Sequence, residues 1–294
     1  MGIVSLKYDV SFKYLMLNET VRRYFISDVL GLPSGEIRCV RLGHTFLWRR
    51  LRRHKAGILD ILVELNDDSK INIELQIRKF SHWDKRSLFY LSKMFTEDLL
   101  AGEKYQKLKR CICINILDFN LDDLPEYHKI YRLRDKAGNE FSDLFEIHIL
   151  ELRKPLGRSG DIDNWIKLIN AQREEELDMI RTKNPGIQEA ILELRHMNLR
   201  RELRALYEAH QKEVRDQYAR EDYVREEGIS QGKAEGIAQG KAEGILAILG
   251  TKGLVPDQVR QVIQEQGNVA VLDQWLLLAA GARNVEMFRE QAGI

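Results

Sequence analysis

The sequence predicts an α/β fold in which helices flank a mixed central sheet and a helical C-terminal extension follows. Two observations predict the sheet: residues 56–77 show the pattern of two strands joined by a turn, and residues 110–119 form a strongly apolar strand. A third observation predicts the extension, because apolar residues recur at helical spacing throughout residues 161–225. The chain is therefore expected to begin with mixed strands and helices and to end in helices alone.

The first predicted element is an amphipathic helix over residues 11–30, which the turn residues Gly31 and Pro33 end. Asp9 precedes this helix by two residues, where an acidic side chain is typical of a helix cap. Residues 37–47 are then predicted to form a strand.

A dense basic cluster follows this strand, and two aromatic residues, Phe46 and Trp48, accompany it. Such a combination suits contacts with nucleic-acid phosphates, although a run of charge is also typical of a solvated loop. Its position beside an acidic hairpin favours the first interpretation. The predicted phosphate-binding residues are Arg49, Arg50, Arg52, Arg53 and Lys55.

Residues 56–77, AGILDILVELNDDSKINIELQI, are predicted to form an antiparallel hairpin. Residues 57–65 are rich in Ile, Leu and Val, whereas residues 70–77 alternate between apolar and polar as a half-buried strand does. The residues between them, Asn66 to Ser69, are turn formers whose short side chains bond to their own backbone.

The register of this hairpin decides which polar side chains share a face. If the loop is residues 67–69, Asn66 pairs with Lys70 and Leu62 faces Glu74, while Asp60 faces Gln76. Asp60, Glu74 and Gln76 then lie on one face, with the two acids as diagonal neighbours roughly 7–8 Å apart at the backbone. Both carboxylates could reach one cation, but a slip of one residue would separate them. The alternative is a hairpin whose polar face simply contacts water.

After the hairpin, residues 80–103 fit a long helix on which Arg86 and Tyr90 lie one turn apart. The apolar strand at residues 110–119 is of the kind that helices cover on both faces. Residues 145–152 alternate as another strand, and the chain between these two strands is predicted to be rich in loops.

Glycine recurs at every fourth position within residues 227–245, between a polar helical extension at residues 156–226 and a small helical module at residues 246–294. Each glycine costs an isolated helix about 1 kcal/mol relative to alanine, so this segment alone is marginal. It is either a helix whose glycine ridge admits a second helix or a flexible linker, and its Ala, Glu, Lys and Gln content favours the helix. The C-terminal helices are expected to form a packing or oligomerisation module, through which homo-oligomers could assemble. The glycines are Gly228, Gly232, Gly236, Gly240 and Gly244.

The 46 basic and 45 acidic residues leave a net charge of +1, which indicates no overall preference for nucleic acid or membrane. No apolar run is long enough to span a bilayer, and the N-terminal residues lack a signal-peptide core, so we expect a cytoplasmic protein without a membrane partner. Three cysteines, Cys39, Cys111 and Cys113, are odd in number and lack metal-type spacing. We expect them to be free thiols.

Hydrolysis of a phosphodiester at neutral pH needs a hard cation that activates water and neutralises developing charge. Carboxylates from neighbouring strands, here Asp60 and Glu74, can supply such a site. The third polar residue, Gln76, can orient water through hydrogen bonds but adds no positive charge.

The run GILDILVEL followed by INIELQI resembles the PD-(D/E)xK nuclease superfamily. Within it, the chain is most similar to the branch of bacterial recombination-promoting nucleases and transposase-like proteins, over roughly the first half to two-thirds of its length. The order of several short motifs along the chain supports the resemblance more strongly than any one of them. These motifs are Asp9, Phe12 and Lys13; Ile73, Glu74, Leu75 and Gln76; Arg86 and Tyr90; Gly102 and Tyr105; and residues 116–119.

The resemblance implies a restriction-endonuclease-like core over residues 1–155 that acts as an endodeoxyribonuclease of low sequence specificity, dependent on Mg²⁺ or Mn²⁺, in recombination or mobile elements. It implies Asp60 and Glu74 as metal ligands, with Gln76 in the place of the usual lysine. Asp9 becomes either a second-tier acid or the cap described above, and Arg86 and Tyr90 become supports that contact the nucleic acid. The competing interpretation is a catalytically decayed nuclease fold that serves as a DNA-binding or oligomeric assembly module.

Overall fold

The computed structural model describes most of the chain, and the residues that it describes form two compact units, Met1–Gln211 and Lys212–Ile294. The first unit holds a six-stranded mixed sheet with helices on both faces, and the second unit is helical. The predicted fold class is therefore confirmed. The described residues are 2–37, 40–42, 46–47, 57–58, 61–65, 67–79, 81–97, 99–157 and 160–294.

Two helices stand where the sequence predicted one. Helix α1 spans Asp9–Met16 and α2 spans Glu19–Leu30. The side chain of Asn18 divides the predicted helix into two. Its Oδ1 accepts hydrogen bonds from the backbone N–H groups of Thr20 and Val21 at 3.0 and 3.3 Å and so caps the start of α2. Gly31, at φ +68°, ends α2 in the left-handed conformation.

The main sheet has the strand order β1-β4-β5-β6-β8-β7. Strands β5, β6 and β8 are parallel to one another, and the remaining strands join antiparallel at the two edges. The bounds are β1 Val40–Leu42, β4 Ile61–Leu65, β5 Lys70–Gln76, β6 Cys111–Leu117, β7 His128–Arg134 and β8 Glu140–Glu151. A separate two-stranded sheet contains β2 Phe46–Leu47 and β3 Gly57–Ile58.

Four predictions about the strands need correction. The described parts of residues 37–47 and 57–65 are each divided between the two sheets, so neither forms one continuous strand. The region predicted to be rich in loops contains β7, an edge strand whose side chains are largely exposed and therefore lack an apolar pattern. Strand β8 is also longer than predicted and begins at Glu140.

The hairpin of β4 and β5 forms with a register two residues away from the predicted one. Leu62 lies opposite Asn72 rather than Glu74, and Glu64 lies opposite Lys70. The backbone N–H of Leu65 donates to the carbonyl of Ser69 at 2.9 Å and closes the turn one position earlier than expected. Because the shift is an even number of residues, Leu62 still lies on the same face of the sheet as Asn72 and Glu74.

Helices cover both faces of β5, so the prediction of a half-buried strand is wrong. One face carries the largest apolar core together with α1, α2, α4 (Asp161–Asn170) and α6 (Pro185–Leu199). Helix α3, at Trp83–Glu97 and shorter than predicted, covers the other face. The polar side chains of Asn72 and Glu74 on β5 are buried on the face that α3 covers, and Gln76 is only half-buried.

The rest of the chain is helical. A short helix, α5, spans Glu174–Asp178, and α7 spans Arg201–Gly250 and includes the whole glycine-periodic segment. In the second unit α8 (Asp257–Glu265), α9 (Val269–Gly281) and α10 (Val285–Ala292) surround a core with Ile245, Trp275 and Phe288. The helical module predicted at residues 246–294 therefore contains α8, α9 and α10 after the end of α7. None of the described helices has the length and apolar character needed to cross a membrane.

Candidate active site

The candidate site lies on the face of the sheet that α3 covers. Strand β5 places Asn72, Glu74 and Gln76 there, because alternate side chains of a strand emerge on the same side. In the parallel register with β6, Glu74 is paired with Asn115 and Asn72 with Cys113. The site therefore contains an acid, three side-chain amides and a thiol.

Glu74 is the central acid of this layer, and its residue is only 1% exposed. Burial is the main cause that raises the pKa of the Cys113 thiol above its usual range, and the negative charge of Glu74 raises this pKa further. Cys113 is therefore a protonated, unreactive thiol rather than a nucleophile. Cys111 and Cys113 are both free and buried, as predicted, whereas Cys39 lies outside the described residues.

Ser87 and Asn115 form a polar contact between α3 and β6 that the sequence analysis missed. Asn115 Nδ2 donates to Ser87 Oγ at 3.2 Å, and both residues are almost fully buried. This bond fixes α3 against the strand directly beside Glu74. The one signal available in the sequence was a polar residue inside the otherwise apolar run of β6.

Arg86 and Tyr90 lie on α3 as predicted, one turn apart. The guanidinium carbon of Arg86 is 5.3 Å from the centre of the Tyr90 ring, a cation–π contact that orients the arginine. Tyr90 is buried and packs in the cluster that includes Leu62 and Cys113.

Asp9 lies in the first turn of α1, and its side chain makes ion pairs instead of capping the helix. Asp9 Oδ2 is 3.2 Å from Lys13 Nζ, and Asp9 Oδ1 is 2.6 Å from His210 Nε2. The apolar face of α1, with Phe12 and Leu15, packs on the side of the sheet opposite Glu74. The described contacts therefore do not bring Asp9 and Glu74 together, and its role as a second-tier acid stays a prediction.

Several predicted site residues lie outside the residues that the structure describes, so their roles also stay predictions. They are the second predicted metal ligand, Asp60, and the predicted phosphate-binding residues Arg49, Arg50, Arg52, Arg53 and Lys55.

A family model described as PD-(D/E)XK nuclease family transposase matches residues 6–223. The chain belongs to this family. No curated protein sequence and no solved structure matches the chain. Membership supports a nuclease-like or transposase-like function, and the six-stranded sheet with Glu74 and Gln76 on its central strand β5 is consistent with the PD-(D/E)XK fold.

PD-(D/E)XK nucleases usually use divalent metal ions, and the donors beneath α3 suit such an ion. Glu74 supplies a carboxylate, and Asn72 Oδ1 is a buried acceptor that finds no hydrogen-bond partner among the described residues. Carboxylate and amide oxygens are the ligands that Mg²⁺ and Mn²⁺ prefer. Within the described ranges no three His, Cys, Asp or Glu side chains are grouped as a metal site. A metal here therefore relies on Glu74 together with amide oxygens and any donor outside those ranges.

Asp118 directly follows β6 and forms salt bridges with two basic side chains, Lys7 and Arg153. Its Oδ1 is 2.8 Å from Lys7 Nζ and 3.2 Å from Arg153 Nε. Burial raises the pKa of Asp118, but the hydrogen bonds from Arg153 and Lys7 outweigh burial and hold the pKa below its usual value. The acid in the motif at residues 116–119 therefore ties the N-terminal segment to the sheet.

Proposed function

We propose that this PD-(D/E)XK family member is a metal-dependent DNA endonuclease of low sequence specificity that acts in recombination or mobile elements. The observation that carries the proposal is the placement of Glu74 on β5, buried beneath α3, with Asn72 and Gln76 on the same face. Polar groups are rare on a strand that is covered on both faces, so their concentration here calls for a function beyond folding.

In this proposal Asp60 and Glu74 hold Mg²⁺, or Mn²⁺ in its place, and Asn72 Oδ1 is available to the same ion. The bound cation would activate water and neutralise the charge that develops on the scissile phosphate. Gln76, at the less buried end of β5, would hold the attacking water through its amide. Arg86 and Tyr90 would support the nucleic acid, and Asp9 would act as a second-tier acid.

The proposed substrate is DNA, and the proposed location is the cytoplasm, as expected from the sequence. Because the net charge is only +1, attraction to the phosphates must come from a local cluster. We assign that role to the five basic residues Arg49, Arg50, Arg52, Arg53 and Lys55.

Homo-oligomers would form through the C-terminal helices. Every residue from 221 to 237 of α7 is exposed, including Gly228, Gly232 and Gly236. A helix that is exposed all round and interrupted by glycine is poorly stabilised on its own. A second copy of α7 lying along the glycine ridge would supply the missing packing.

The test is a nicking assay on supercoiled DNA with and without Mg²⁺. Wild-type protein should nick the DNA only with metal, and Glu74→Gln should lower the rate by at least about a hundredfold, because a carboxylate ligand is lost. Glu64→Gln is the matched control, because Glu64 lies on the neighbouring strand opposite Lys70. This variant should nick DNA at the wild-type rate. If the Glu74→Gln variant still nicks DNA in a metal-dependent way at the wild-type rate, the proposal is wrong.

One observation favours the decayed assembly module as the second candidate, namely the uncharged Gln76 in the position of the lysine. A metal that binds the folded state must raise the melting temperature by mass action. Absence of both nicking and a thermal shift at millimolar Mg²⁺ would select this second candidate.

A further inference from the structure

A groove of about 840 Å³ lies on the same side of the sheet as Glu74, between α3 and the strands β7 and β8. Its volume is typical of a site for a small organic ligand. Ser87 lines the groove and also bonds to Asn115, the neighbour of Glu74 in the sheet. The groove therefore adjoins the candidate active site.

Aromatic and aliphatic side chains form the walls of the groove. Trp83 on α3 and Phe145 on β8 line it, and Tyr131 lies at its rim on the edge strand β7. Leu88, Tyr131 and Leu133 are 52%, 50% and 43% exposed, which leaves an apolar surface open at the rim. Apolar surface of this kind next to a concave site is typical of ligand binding.

Trp83 carries a second, independent signal. Its residue is only 9% exposed, and its Nε1–H finds no acceptor among the residues that the structure describes. Tryptophan can only donate, and buried donors are nearly always paired in folded proteins. A ligand with a carbonyl or ring-nitrogen acceptor would satisfy this group.

Cationic side chains lie on both sides of the rim. Lys79 lines the groove on one side and Arg132 on the other, and Asp84 is the acid among the lining residues. No acidic partner of Lys79 is found in the described part of the chain. Arg132 Nη2 is held 3.1 Å from Glu146 Oε1, so its position is fixed. A ligand that fits these walls and this rim has an apolar, hydrogen-bonding ring and an anionic group outside the groove.

We propose that the groove binds an unpaired nucleobase of single-stranded or locally opened DNA, which stacks on Tyr131 while Lys79 and Arg132 contact the flanking phosphates. A base inside a duplex stack cannot enter such a groove, whereas an unpaired base can stack on an aromatic ring. The inference rests on the proposed nuclease function and names its substrate class: DNA with unpaired nucleotides beside the cleavage site.

The experiment measures binding of full-length protein, in chelator so that no cleavage occurs, to a single-stranded oligonucleotide and to a duplex. A fluorescent adenine analogue in the single strand should be quenched on binding. Tyr131→Ala should weaken single-strand binding roughly tenfold and abolish the quenching, because one stacked base is lost, while duplex binding changes less than about twofold. Tyr131 is half exposed, so this variant should fold, and its melting temperature checks that it does.

Phe141→Ala is the matched control. Phe141 is an aromatic residue on the same hairpin that is 84% exposed and does not line the groove, so its loss should change neither affinity nor quenching. Single-strand binding that is equally tight in wild type, Tyr131→Ala and Phe141→Ala, or an analogue that stays unquenched, would overturn the proposal. Loss of nicking with Tyr131-dependent binding intact would instead count against the nuclease function alone.

Discussion

Glu74 and Asn115 are paired in the parallel register of β5 and β6, and each is only 1% exposed beneath α3. Asn115 is itself bonded to Ser87 on α3 at 3.2 Å. The acid that we assign to metal binding therefore lies beside a hydrogen bond that connects strand and helix. The geometry of the candidate site and the stability of the fold depend on the same few polar groups.

Removal of this hydrogen bond should destabilise the protein. Asn115→Ala leaves the buried Ser87 hydroxyl without its partner and should lower the free energy of unfolding by about 1–3 kcal/mol. Urea denaturation measures the change. Asn120→Ala, at an exposed position just after β6, is the control and should be neutral. If Asn115→Ala and Ser87→Ala are additive when combined, the bond contributes nothing.

Acid should destabilise the first unit through Glu146. Burial raises the pKa of Glu146, but hydrogen bonds from His148, Arg132 and Arg110 outweigh it and hold the pKa well below the usual 4.5. Because the folded pKa is the lower one, this stabilisation is complete above about pH 5 and is lost as the pH falls below 4.5. Urea unfolding between pH 7 and about pH 3 should show the loss, and Glu146→Gln should flatten it. An identical slope in the variant would exclude Glu146 as the cause.

Asn18 should stabilise the protein both as a helix cap and through hydrogen bonds to α6. Asn18→Ala removes the cap of α2 and should cost about 1 kcal/mol. Asn18→Asp keeps an acceptor for the cap, but Asn18 Nδ2 also donates to Glu189 and Glu193 at 3.2 and 3.1 Å. A carboxylate between two glutamates should therefore destabilise the protein at pH 7, as denaturant unfolding would show. If Asn18→Asp is as stable as the wild type, the hydrogen bonds to Glu189 and Glu193 on α6 contribute nothing to stability.

Replacement of two helical glycines by alanine should change the stability of the protein in opposite directions. An added Cβ at Gly186 would lie 2.2 Å from Tyr24 Cβ, so Gly186→Ala should destabilise the protein by about 1–3 kcal/mol. An added Cβ at Gly236 meets nothing within 4 Å, so Gly236→Ala should stabilise an isolated α7 by up to about 1 kcal/mol. Thermal unfolding combined with sedimentation tests both variants. If α7 pairs with a second copy through its glycine ridge, Gly236→Ala should instead weaken the oligomer.

The sequence was informative where one physical signal dominated. Strand β6 was predicted because its run is apolar throughout, and α3 was located by its helical period. The shared face of Asn72 and Glu74 also followed from alternation. The register of the hairpin could not be predicted from alternation. The turn formers from Asn66 to Ser69 are compatible with loops that shift the strand pairing by two residues and leave the same side chains on each face.

The missed features depend on contacts between distant residues. Asn18 lies inside an apolar period, and its role as a cap becomes evident only from the backbone around it. The pairing of Ser87 with Asn115 joins residues 28 positions apart. Edge strand β7 is bonded on one side only, so its exposed side chains left no periodic signal.

Burial of β5 on both faces also limits how relatives of this protein can diverge. A carboxyl group at the buried position 74 costs stability unless a bound cation compensates for it, so a lineage without the metal site would gain stability by replacing Glu74 with an apolar residue. Gln76, at the less buried end of the strand, is under no such constraint. Among homologues, retention of an acid at position 74 is therefore the better indicator of an active enzyme, and the residue at position 76 is the weaker one.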